Sequence, residues 1–129
     1  ALQFYNRVVY HDFEGIALDH EERERLIADL GLTSRAMILR NHGLMTLGRT
    51  VSEAFILMLN LERACRVQVA IASTGEPIHP VPAEVCERTA QQYESGDSTR
   101  EAGDPDPNAR EWRAMLERIA PSPVTSFRD

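Results

Sequence analysis

The sequence predicts an α/β chain in which helices cover a small sheet. Three observations carry this expectation. Short runs of strand length occur at "VVYHDF", "AMILR" and "LMTLG"; longer stretches place apolar residues at helical spacing; and helix start and stop signals punctuate the chain between them.

The elements follow in order. β-branched and aromatic residues predict a strand over 8–13, with Val9, His11 and Phe13 on one face and Tyr10 and Asp12 on the other. Asp19 precedes Glu22 by three residues, a capping-box arrangement, so a helix is expected over 20–30 with Leu26, Ile27 and Leu30 as its apolar stripe and Gly31 as its stop. The run 36–40 has the length of a strand buried on both faces, and 44–48 supplies another, joined by Asn41, His42 and Gly43.

Thr50 and Glu53 form a second capping box before the longest helix, which ends at Gly75 with Pro77 just beyond. Val51, Phe55, Met58, Leu59, Cys65, Val69 and Ala72 recur along it at helical spacing and are expected to be core. Pro82 marks a third helix, with Val85, Cys86, Thr89, Ala90 and Tyr93 inward and an end near Gly96. The polar stretch 96–107 is expected to be a mobile loop. Asn108 and Glu111 start a fourth helix carrying Trp112, Met115, Leu116 and Ile119, which stops before Pro121 and leaves a frayed tail over 121–129. Three short strands are few for this many helices, so part of the sheet is expected to lie outside the chain or to come from a partner subunit.

Composition bounds the function. At 129 residues, 43% hydrophobic and 26% charged, the chain reads as a single soluble domain over 1–129. A net charge of −6 without a continuous basic face argues against nucleic acid and anionic membranes as partners. No apolar stretch reaches the roughly 20 residues needed to span a bilayer, and no secretory leader precedes the first strand, so a cytoplasmic location is expected. Two cysteines, Cys65 and Cys86, are too few for a disulfide framework and fit small buried hydrophobes. All fourteen basic residues are Arg, so no side chain here can form a Schiff base. The chain starts at Ala1 and not at Met, which suggests a piece of a longer protein.

"YHDFEGIAL", "AMILRNHGLMTLGRTVSEAF" and "LERACRVQVA" together resemble the class II aldolase/adducin family, and most closely its adducin-like bacterial branch. A lone Asn-His-Gly would be weak; the ordered string of strand, capped helix, "LRNHG", "GRTVSEAF" and long helix is specific. The likeness runs over residues 1–75, with 76–120 as C-terminal helices. It implies a three-layer αβα domain, present here as its C-terminal part, and assembly into a homo-oligomer with sites near subunit boundaries. In metal-dependent members the His of this motif is one of three imidazoles on a divalent metal, usually zinc, so His42 matches a metal ligand. The other two imidazoles and a proton-handling Glu belong to a segment that would precede Ala1. The implied chemistry is retro-aldol cleavage of a small carbonyl substrate through a metal-stabilised enediolate, which needs no lysine.

Read from the residues alone, a His at a strand end is more often a hydrogen-bonded turn residue than a catalytic one. His42 nevertheless sits at the carboxyl end of a strand, where α/β domains bind ligands; Gly43 would keep the space beside it clear, and Asn41 would orient the backbone. His11, His20 and His79 fit no ligand spacing. Asp12, Glu14 and Asp19 are accounted for as a strand-end charge group with a helix cap. Tyr10 and Tyr93 are candidate proton donors that nothing singles out. Two functions follow. One is the C-terminal portion of a metal-dependent aldehyde lyase, inactive alone; the other is a non-catalytic adducin-like oligomerising or binding module.

Overall fold

The run Ala36–Leu39 has no polar alternation, and it occupies the place such a run suits, the middle of a three-stranded sheet. The structure is a computed structural model and describes residues 1–15, 20–95 and 108–119. Strand β2 (Ala36–Leu39) pairs in parallel with β1 (Val8–His11) and antiparallel with β3 (Gly43–Thr46). Ala36 and Met37 are fully buried.

Each strand is shorter than its predicted span. β1 ends at His11 because its partner strand ends at Leu39 and turns; Asp12 and Phe13 continue past the sheet, exposed. β3 begins one residue early, at Gly43, and stops at Thr46, where the chain bends toward the next helix.

Helix α1 (His20–Leu30) links β1 to β2, and helix α2 (Val51–Ser73) follows β3. Side chains of paired residues share a sheet face, and successive residues alternate. Thr46, paired with Ala36 and through it with Val8, donates its hydroxyl to the Ala54 carbonyl of α2 at 2.9 Å. His11, of opposite parity to Val8, lies 2.7 Å from Asp29 of α1. The two helices therefore cover opposite faces, and the chain forms three layers, helix on sheet on helix.

Capping chemistry sets the start of α2. The Thr50 hydroxyl accepts from the Glu53 N–H at 3.1 Å, while the Glu53 carboxylate reaches back to the Arg49 N–H at 2.5 Å. This draws Ser52 and Glu53 inward, so the buried face of α2 is Ser52, Glu53, Ile56 and Leu61. The stripe expected from spacing is corrected accordingly: Met58, Leu59 and Cys65 are half-buried, but Val51, Val69 and Ala72 are exposed, and Phe55, also partly exposed, meets the Trp112 ring edge-on at 4.9 Å. That contact joins α2 to helix α4 (Ala109–Ile119). Ile27 of α1 is likewise exposed, leaving Leu26 and Leu30 as its apolar contacts. Gly31, at φ 66°, donates to the Ile27 carbonyl and ends α1; Gly75, at φ 71°, donates to the Ala72 carbonyl just beyond α2.

Helix α3 (Ala83–Ser95) buries Cys86 and Ala90 against the N-terminal turn Leu2–Phe4, while Tyr93, expected inward, is exposed. Arg7 clamps this packing. Its guanidinium donates to Glu87 at 2.8 Å through two nitrogens, to Glu94 at 2.9 and 3.0 Å, and to the Tyr5 carbonyl at 2.9 Å. Hydrogen bonds from Arg7 hold both carboxyls below their ordinary value. Asp19, the stretch 96–107 and the tail 121–129 lie outside the described residues.

Two predictions follow from these packings. A Cβ on Gly48 would press on the Ala54 backbone nitrogen and lie 2.8 Å from the Thr50 carbonyl oxygen and 2.9 Å from the Glu53 Cβ. Those atoms belong to the first turn of α2 and cannot yield without opening the cap, so Gly48→Ala costs about 1–3 kcal/mol in urea unfolding. Gly43→Ala, whose Cβ meets nothing within 4 Å, stays within about 0.5 kcal/mol.

For the clamp, both folded carboxyl pKa values are depressed, so its stabilisation is complete above the unfolded value and is lost as pH falls through the folded ones. The melting-temperature gap between the native chain and Arg7→Leu should therefore hold near neutrality and narrow as the pH falls below the ordinary carboxylate range. A gap independent of pH would mean that Arg7 acts by packing alone.

Candidate functional site

The carboxyl ends of the two parallel strands lie side by side. β1 ends in His11 and β2 runs into a turn of Arg40, Asn41 and His42 before β3. The Arg40 N–H donates to the His11 carbonyl at 2.9 Å, extending the pairing one step past the strands, and the His42 N–H closes the turn on the Leu39 carbonyl at 3.0 Å. Asn41 sits between them at φ 58°, the left-handed conformation that the third position of such a turn demands and that Asn tolerates. Asn41 thus carries the backbone conformation on which the turn depends. Gly43 has no steric neighbour that a side chain would strike among the described residues.

Side chains fasten the same corner. Arg40 stacks its guanidinium 4.7 Å above the Tyr10 ring and places its Nε 3.0 Å from Asp12. Tyr10 is therefore engaged by a cation. Glu14 is engaged too, taking a forked pair of bonds from Arg25 of α1 at 2.9 and 2.5 Å.

His42 itself is exposed. Its ring stacks on Phe13, with centroids 6.0 Å apart and planes inclined by 22°, and its ring nitrogens have no hydrogen-bond partner among the described residues. Its backbone is held by the turn while its side chain is exposed. His11 is the opposite case. Only 4% exposed, it sets Nδ1 2.7 Å from the Asp29 carboxylate, which can only accept when ionised, so Nδ1 carries the proton. Its Nε2 is buried without a partner among the described residues. His11 is thus a pin between β1 and α1. His79 lies exposed in the link before α3, Tyr93 is exposed on α3, and of His20 only the backbone, at the first position of α1, is described.

The base of the hairpin is held by Glu53. Arg35, just before β2, donates to it at 2.5 Å, and Arg49, just after β3, donates through both its backbone N–H and its guanidinium. Burial pushes the Glu53 carboxyl up, but the Arg49 N–H, the Arg49 side chain and the charges of Arg35 and Arg49 outweigh it and hold the group below its ordinary value.

Sequence reasoning missed the His11–Asp29 pair, although one signal was available. Asp29 stands in the last turn of α1, which has no basic residue, and an acid there opposes the helix dipole. Such a residue calls for a tertiary partner.

As a metal site the corner fits one position and not a whole one. An open imidazole on an ordered turn is the right kind of donor, whereas no group of three or more His, Cys, Asp or Glu side chains is placed to hold a metal among the described residues.

Comparison with known proteins adds the following. Residues 1–69 match the family model described as Class II Aldolase and Adducin N-terminal domain. A Pseudomonas aeruginosa protein provisionally named as an aldolase class 2 protein is 47% identical over 76 residues, covering 59% of this chain and 29% of that protein. Rat alpha-adducin is 48% identical over 71 residues, covering 54% of this chain and 10% of the adducin. The crystal structure of an aldolase II superfamily protein from Pseudomonas syringae superposes with a TM-score of 0.74 at 42% identity, covering 92% of this chain and 44% of that one. The chain therefore spans well under two thirds of these relatives. Among the described residues no helix is long and apolar enough to cross a membrane.

The turn generates a direct prediction. Asn41→Ala forces a Cβ-bearing residue without a short polar side chain into the left-handed region and costs about 1–2 kcal/mol in urea unfolding. Asn41→Gly should cost much less. Equal losses in both variants would show that the Asn side chain, and not its backbone conformation, holds the turn.

Proposed function

The chain belongs to the class II aldolase and adducin family, and on that premise we propose that it is the C-terminal portion of a metal-dependent aldolase-type lyase. In this reading His42 contributes one imidazole to a divalent metal, zinc being what the family resemblance implies. The observation that carries it is the open His42 ring: its backbone N–H closes the turn, while its nitrogens are left unengaged by the described residues at the carboxyl end of β2. The chemistry such an ion supplies when bound is Lewis-acid withdrawal of electron density from a carbonyl oxygen, which favours cleavage of the adjacent carbon–carbon bond.

The residues of this chain do the holding. Asn41 and the Arg40–His11 bond fix the turn, Phe13 covers one face of the imidazole, and Glu53 anchors the far end of the hairpin. A catalytic zinc generally takes three protein ligands. The remaining donors and the proton-handling acid then come from the parts of the protein that this chain does not span, so the chain by itself is inactive. A homo-oligomer and a small carbonyl substrate belong to the same reading, as does a cytoplasmic location, where two unpaired cysteines are at home.

One observation favours the second reading, a non-catalytic oligomerising or binding module. Identity to rat alpha-adducin, at 48%, is as high as that to the bacterial relative, at 47%. Sharing a fold and a turn does not transfer a reaction.

Metal content decides between them. Plasma mass spectrometry on the full-length protein should find near-stoichiometric divalent metal, lost in His42→Ala with helical circular dichroism unchanged. Metal absent from both proteins would favour the binding module, and metal retained in the variant would remove His42 as a ligand.

A further inference from the structure

Phe13 is a large aromatic ring left 54% exposed at the end of β1, and the ring it stacks on is the His42 imidazole. Leaving half of a phenyl ring in water forgoes burial that the same residue would gain elsewhere. Among the described residues its ring partner is His42. A centroid distance of 6.0 Å and an inclination of 22° fall within the offset-stacked range for aromatic pairs.

The juxtaposition is built into the backbone. His11 pairs with Leu39, its carbonyl accepts from the Arg40 N–H, and Asp12 meets Arg40 Nε at 3.0 Å. Those ties occur immediately before Phe13 on one side and two residues before His42 on the other, where the turn closed by the His42 N–H carries the chain on, so the two rings are delivered to each other by fixed segments. A stack covers the face of an imidazole and leaves its nitrogen edge open. An exposed histidine otherwise rotates freely about its side-chain torsions, and an ordered ligand ring is what a metal requires of its surroundings.

We propose that Phe13 is a positioning residue for His42, holding the plane of the imidazole so that its nitrogen edge is presented in one orientation. This rests on the reading of His42 as a metal ligand, but its first test needs no metal. In the metal-free full-length protein, proton NMR should find the His42 ring resonances displaced by the Phe13 ring current. Phe13→Leu, which keeps an apolar side chain at an exposed position and so spares the fold, should return them to the values of a freely rotating histidine, and Phe13→Tyr should preserve the displacement. In a zinc competition titration Phe13→Leu should weaken binding about tenfold, the lower end of what supporting residues of metal ligands contribute, with Phe13→Tyr close to the native value.

Ring resonances unmoved by Phe13→Leu would overturn the proposal. So would a lost displacement with zinc affinity unchanged. Failure of the His42 reading is recognised separately, because zinc binding would then be absent from the native protein or intact in His42→Ala, whatever the NMR arm shows.

Discussion

The Glu53 carboxylate is the interaction on which the arrangement of the chain depends. It stands at the first turn of α2 and gathers Arg35 from the entry to β2 and Arg49 from the exit of β3, so that one buried group closes the open end of the hairpin and starts the long helix. Burying a carboxylate costs several kcal/mol. Hydrogen bonds to a charged group return about 1.5–3 kcal/mol each, and the Arg49 N–H, the Arg49 guanidinium and Arg35 supply enough of them to offset that cost. The Glu53 carboxyl accordingly lies below its ordinary value despite its burial. Gly48 completes the device by allowing the strand exit to pass against the helix start at a distance that no side chain permits.

With its base held, the hairpin presents its tip at the carboxyl end of the sheet. There the control passes to β1, through the Arg40 N–H on the His11 carbonyl and through Arg40 lying between the Tyr10 ring and Asp12. His11 in turn is pinned to α1 by Asp29, so the layer beneath the sheet also has a hold on the rim. Each connection joins a charged or polar side chain to a backbone segment that a strand has already placed. The tip is consequently ordered without an apolar core of its own, and side chains there remain open to solvent while their backbone is constrained.

Local punctuation was readable in the amino-acid sequence because its causes are local. Gly31 and Gly75 end or follow helices by adopting positive φ, Thr50 caps by reaching three residues ahead, and the unalternated "AMIL" marks the strand with neighbours on both sides. The misreadings have a common origin in contacts distant along the chain. Hydrophobicity places Val51 and Val69 on the inward face of α2, yet the cap turns Ser52 and Glu53 inward beside an exposed Val51, and from residue 66 to residue 73 the helix is exposed all round, Val69 with it. Arg7 finds Glu87 and Glu94 some eighty residues later, and no periodicity within a helix announces such a pair. At the candidate site the Asn-His-Gly string identified the turn, but the Phe13 stack and the His11–Asp29 pin arise only when β1, α1 and β2 are brought together.

A histidine in a turn is ordinarily explained by the turn. Here the turn consumes the His42 backbone N–H, which closes on the Leu39 carbonyl, and the left-handed conformation is carried by Asn41. Any residue with an N–H could provide the first, and nothing in the second requires an imidazole one position later. The side chain is thus surplus to the local structure. It stacks against an aromatic ring, its nitrogens have no partner among the described residues, and it stands at the sheet rim where α/β domains receive ligands. A residue whose backbone is used and whose side chain is presented is better explained by what binds it than by what folds it. On the reading proposed above, that is a divalent metal ion.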